Sequence, residues 1–227
     1  MIFDNLKYLL FFSLITLLVS VDKVFSQDIQ FSQFYNVPLY QNPAFAGSSH
    51  ESRATVHQRI QWPRLDAKYI TSVASFDKYF ANAKSGVGLM AIQDFQGSNT
   101  ISSTEISAMY AYELHITPTL TLRSGLQGSY VTRYLNYANL MYPREFNDVT
   151  GYTKDPSTDF GGQRIHYVDL ATGGIFYSKN LWIGLSGHHL NLPNQSFDKG
   201  VARLPGKFAV TGGYKIHLAN NRRTAYS

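Results

Sequence analysis

The residues that could do chemistry are few and scattered. His188 and His189 stand side by side, which invites a metal reading. Neighbours on a strand point to opposite faces, so a regular strand cannot aim both at one ion. Glu105 and Glu113 share parity, and on a strand both would line one face. A glycosidase pair needs a defined carboxylate separation, which a single strand does not set. Serine, histidine and aspartate are present, but no G-x-S-x-G nucleophile elbow is found. Gly86-Val87-Gly88 and Gly161-Gly162 lack the strand–loop–helix context of a phosphate loop. The chain has no cysteine, which removes disulfides, thiolate metal sites, cysteine catalysis and a lipoprotein anchor. The reading is a protein that is not an enzyme, with no catalytic residue, no metal site and no cofactor.

What remains is charge on an inward face. Arg53, Arg59, Arg123 and Arg133 all fall at odd positions within strand-like segments. They would give either a basic lumen that attracts anionic partners or, as the blander account, a network of internal pairs with Glu105, Glu113 and Asp169. These are the candidate lumen charges.

The segments that carry them alternate. In Arg53–Trp62 the even positions Ala54, Val56, Ile60 and Trp62 are apolar around Gln58, and the odd positions Arg53, Thr55, His57, Arg59 and Gln61 are polar. This period of two is an amphipathic strand. Glu105–Leu114 sets Ile106, Ala108, Tyr110, Tyr112 and Leu114 against Glu105, Ser107 and Glu113; Leu120–Arg133 sets Leu120, Leu122, Leu126 and Tyr130 against Thr121, Arg123, Gln127, Ser129 and Arg133. Weaker candidates are Lys68–Asp77, Gly86–Gln93, Tyr167–Tyr177, Leu181–His189 and Lys207–His217. The expectation is about eight strands, each near the length that crosses a bilayer when tilted, and no helix of convincing period after residue 26. Turns at 78–85, 117–118, 179–180 and 220–221 alternate with connections at 63–66, 94–100, 134–166 and 190–206, two of which are long. Short turns at one end and long loops at the other are the bacterial outer-membrane pattern.

Residues 1–26 read as a secretory signal peptide. Lys7 sits in a short polar start, Leu9–Val21 is apolar apart from Ser13, Thr16 and Ser20, and Val24-Phe25-Ser26 supplies a cleavage site before Gln27. Of 227 residues only 15% are charged, against 44% hydrophobic; a soluble domain carries about 25% charged residues. Mean hydropathy is −0.18, as expected where lipid-facing and lumen-facing residues average out. The net charge of +5 is spread singly along the strands rather than clustered, so nucleic acid is not an expected partner. The fold class is therefore all-β: an antiparallel transmembrane β-barrel of the outer membrane, residues 53–227.

The segment between signal and barrel, 27–52, holds too many apolar residues for a free tail. Phe31, Phe34, Tyr35, Asn42, Pro43 and Phe45 are its candidate partner-binding residues, and Asn42-Pro43 with Gly47 marks turn geometry. It is either a plug, or a cover for the periplasmic mouth, or an irregular first strand. Its wording, Gln27-Asp28-Ile29-Gln30-Phe31-Ser32-Gln33 followed by Pro38-Leu39-Tyr40-Gln41-Asn42-Pro43-Ala44-Phe45-Ala46-Gly47, resembles the opening of the PorP/SprF family. Leu181–Asn191 leading to Pro193, and Leu204–Phe208 leading to Gly212-Gly213-Tyr214, extend the resemblance across the mature chain. The resemblance implies an outer-membrane barrel of Bacteroidetes that works in type IX secretion or gliding motility and binds, exports or anchors surface proteins such as adhesins. Its partners would be those proteins, periplasmic components of the machinery and the lipid bilayer. Family members run longer, and no alternating strand precedes Tyr226, so the sequence predicts a barrel incomplete at its C-terminal end. The alternative function is an outer-membrane transport barrel for small or hydrophobic solutes.

Overall fold

The computed structural model describes residues 28–29, 31, 33–65, 68–97, 99–137, 162–198 and 200–215, with the backbone alone at 34, 146–147 and 151–152. The chain divides into two compact units, 1–30 and 31–227. The expected signal peptide lies outside the described residues, as do His217, the turn at 220–221 and Tyr226.

The second unit is an antiparallel meander. Its strands are β1 (Ser52–Gln61), β2 (Tyr69–Phe80), β3 (Ser85–Gln96), β4 (Ile101–Thr117), β5 (Leu120–Asn136), β6 (Phe146–Asn147), β7 (Gly151–Tyr152), β8 (Gly162–Tyr177), β9 (Leu181–His188) and β10 (Lys207–Tyr214). Eight of them pair in the order β1-β2-β3-β4-β5-β8-β9-β10, forming a half-barrel, and β6 with β7 forms a small hairpin inside the long 137–161 connection. All eight expected strands are present. No helix among the described residues is long and apolar enough to cross a membrane. The turns after β2, β4 and β8 are short and gather at one end, and the long connections gather at the other.

The buried face of the sheet carries most of its polar and charged side chains, and the exposed face is apolar. On β4, Ser107 and Glu113 are buried, while Ile106, Tyr110 and Leu114, of opposite parity, are each at least half exposed. On β5, Arg123, Gln127 and Ser129 are buried and Leu126 is exposed. The outer strands repeat this with Val56 on β1 and Phe208 and Val210 on β10. A water-soluble sheet would place these faces the other way round, because burying apolar area is its main stabilising term. An apolar outward band over a polar interior is stable only where the outside is hydrocarbon.

Candidate functional site: a plugged interior

The polar face is covered by the chain's own N-terminal segment. The described residues of 31–50 contain no strand. They form a 3-10 turn at Phe34–Asn36, one helical turn at Pro38–Gln41 and a second 3-10 turn at Pro43–Phe45. Pro38 and Pro43 open their turns, where a missing N–H costs nothing and the fixed φ suits the turn. Asn42 stands extended between them and caps the second, its Oδ1 accepting from Ala44 N at 2.9 Å.

This segment lies in a trough prepared by the sheet. Register aligns Gly86, Ala111, Gly125, Gly173 and Ser186 in one row across β3, β4, β5, β8 and β9. Gln41–Gly47 runs along that row. Ser186 Oγ donates to Gln41 O at 2.9 Å. A methyl on Gly173 would stand 2.0 Å from Asn42 Oδ1, one on Gly125 2.4 Å from Ala44 N, and one on Gly86 1.9 Å from Ala46 O. No side chain fits at those positions while the segment is seated, which is the physical need for glycine there.

Polar ties fix it. Asn42 Nδ2 donates to Leu185 O at 3.0 Å and to Gly174 O at 3.3 Å, joining the segment to β8 and β9. Arg123 donates Nε to Ala44 O at 3.2 Å, Nη2 to Ala46 O, and Nη1 to Glu113, its direct cross-strand partner. Glu113 also has His50 Nε2 at 3.3 Å and His115 Nε2 at 3.4 Å. Gly47, at φ +70°, donates its N–H to Asp77 Oδ2 at 2.8 Å. Arg53 grips the same carboxylate through Nε at 2.9 Å and Nη2 at 3.1 Å, and reaches Phe45 O with Nη2 at 3.3 Å. Two arginine–carboxylate pairs thus present donors to three carbonyls that no strand or helix would satisfy.

The expected site residues are distributed as follows. Phe31, Asn42 and Pro43 are buried within the molecule, Phe31 against Tyr40 and His57, and Phe45 packs edge-on against Trp182 at 5.7 Å. Tyr35 stands exposed beside the backbone turn that Phe34 begins. Of the lumen charges, Arg53, Arg123 and Glu113 hold the segment. Glu105 accepts from Ser107 Oγ at 2.8 Å, which contacts Ser129 Oγ at 2.9 Å. Arg59 donates to Gln61 at 2.8 Å. Arg133 belongs to the long-loop end, donating to Gln195 with its guanidinium 5.4 Å from the Phe197 ring. Asp169 meets His189 Nδ1 at 2.9 Å, so His189 is engaged by a carboxylate while His188 Nε2 faces Gln41 O at 3.2 Å. Among the described residues no cluster of three metal-ligating side chains occurs. Sequence reasoning missed Asp77 and the small-residue row. The signal for the row was glycine at inward parity in successive strands, and it becomes visible only once register is known.

An antiparallel sheet with an outward apolar face, an ion-paired inward face and a seated internal segment defines a transmembrane β-barrel protein. Residues 23–227 match the family of the type IX secretion system membrane protein PorP/SprF. The chain belongs to the PorP/SprF family. No curated protein and no solved structure matches it.

Proposed function

We propose that this protein is an outer-membrane component of the type IX secretion machinery that binds, exports or anchors surface proteins such as adhesins, and that it acts by holding partners rather than by conducting solutes. In this reading residues 1–26 direct export, 27–52 form the plug and 53–227 the barrel. The short turns face the periplasm, as in other bacterial barrels, and meet periplasmic components there, while the 137–161 and 189–206 connections meet secreted proteins outside. The observation that carries the reading is the Gln41–Gly47 segment tied across five strands of the inner face. An interior occupied by fixed backbone favours a scaffold over a pore. The test is affinity capture of the tagged protein from detergent-solubilised outer membranes, with bound proteins identified by mass spectrometry. Recovery of a large surface protein or of type IX periplasmic components is the expected result. A barrel without partners that gives steady conductance in planar bilayers would overturn it.

A further inference from the structure

A cavity of about 560 Å³ opens at the short-turn end, between the plug and β8–β10. Its size is that of a ligand site rather than a packing fault. Tyr177, Trp182 and Gly213 form one row across β8, β9 and β10. They share the inward face, since Tyr177 pairs with the buried Thr121. Trp182 lies over Gly213, where a methyl would stand 2.4 Å from the indole Nε1, and Phe45 of the plug closes on it edge-on. The cavity thus has an aromatic wall.

Its charge is one-sided. Lys179 and Lys215 line it, and no aspartate or glutamate does. Arg123 also borders it but is committed to Glu113. Neither Lys179 nor Lys215 meets a carboxylate among the described residues, and the Trp182 indole N–H meets no acceptor there. An aromatic wall with an unspent indole donor and two unpaired ammonium groups is complementary to an anion borne next to an aromatic or aliphatic side chain.

We propose that this cavity binds a partner's peptide segment carrying an acidic residue beside an aromatic one, a proposal that rests on the partner-binding reading above. A bilayer lipid would reach the opposite face of the sheet, where Ile183 and Leu185 are exposed and take no part in the cavity. The cavity opens on the inner face at the mouth, where the side-chain amide of Asn180 can pair with peptide backbone.

The test uses the full chain purified in detergent and fluorescein-labelled hexapeptides that contain Phe-Asp or, as the matched control, Phe-Lys, read by fluorescence anisotropy. The Phe-Asp peptide binds, more weakly at high salt, and the Phe-Lys peptide does not. The double substitution K179E/K215E weakens binding about tenfold, a loss of the size expected from reversing two exposed charges. K179R/K215R retains it. Both lysines are exposed, and unchanged heat-modifiability on gels reports intact folding. Equal binding of the two peptides, binding indifferent to K179E/K215E, or displacement of the peptide by short-chain phosphatidylglycerol would each overturn the proposal. Affinity capture separates this failure from that of the general function: partners recovered equally by wild type and K179E/K215E sink the cavity alone, and wild type that recovers none sinks both.

Discussion

Arg123 spends one guanidinium on three acceptors from two parts of the chain. It is 1% exposed, so its charge depends on Glu113 and on the carbonyls of Ala44 and Ala46 for the solvation it lacks. Replacing it with methionine keeps the volume and leaves Glu113, itself 2% exposed, beside two histidines and the Tyr177 hydroxyl but without its arginine. Arg123→Met is expected to cost about 3–5 kcal/mol, the range for breaking a buried pair from one side. Adding Glu113→Gln should recover part of that loss, since no uncompensated charge then remains. Urea unfolding of the folded protein in detergent, followed by tryptophan fluorescence, reads both. A change below about 1 kcal/mol in the single variant would mean that water, rather than Glu113 and the plug, solvates this arginine.

At the scale of elements, the plug and its trough are matched by exclusion. Gly125→Ala puts a methyl into Ala44 N, and the plug backbone has to lift. Gly128, three residues along the same strand, points the other way, and a methyl there would meet nothing within 4 Å. Gly125→Ala should therefore raise the rate of chymotryptic cleavage after Tyr40 and Phe45 by about tenfold or more, while Gly128→Ala leaves it unchanged, because cleavage tracks the population of the opened segment. Equal rates in the two variants would show that the plug is not held by the trough. This pair also marks what the sequence could tell. β1, β4 and β5 were legible because one face of each is mostly polar, interrupted by Met109 and Ala111 on β4 and by Val131 on β5. β3 read weakly because both of its faces are apolar, with Met90 and Ile92 buried and Val87 and Leu89 exposed. The turn chemistry of Asn42-Pro43 was legible as well, being local. Its seat was not, because Gly86, Gly125 and Gly173 come together only through the register of three hairpins. Asp77 stayed hidden for the same reason: it opposes Arg53 across β1 and β2, a fact of pairing rather than of periodicity.

Across the whole molecule, the shortage of charge and the position of what charge there is have one cause. The outer face must dissolve in hydrocarbon, so its strands present valine, leucine, isoleucine and aromatic side chains, and the ionised groups that remain in the strands are concentrated on the inner face, several of them paired. The two ends of the sheet differ as well, with tight turns on one side and long connections on the other, which is the asymmetry of a protein inserted in one direction. The strongest consequence is depth dependence. Leu126 is 65% exposed near the middle of the stretch of β5 that crosses the bilayer, and Ile116 is exposed beside the β4–β5 turn. On a soluble protein, arginine at either exposed position would cost little. In a bilayer, Leu126→Arg should cost about 2–4 kcal/mol and Ile116→Arg about 0–1 kcal/mol, since the penalty falls from midplane to interface. Denaturant unfolding from lipid vesicles measures the difference, with the same variants in detergent micelles as the reference. Equal and small losses at both sites in vesicles would place this face in water and remove the membrane from the account of the fold.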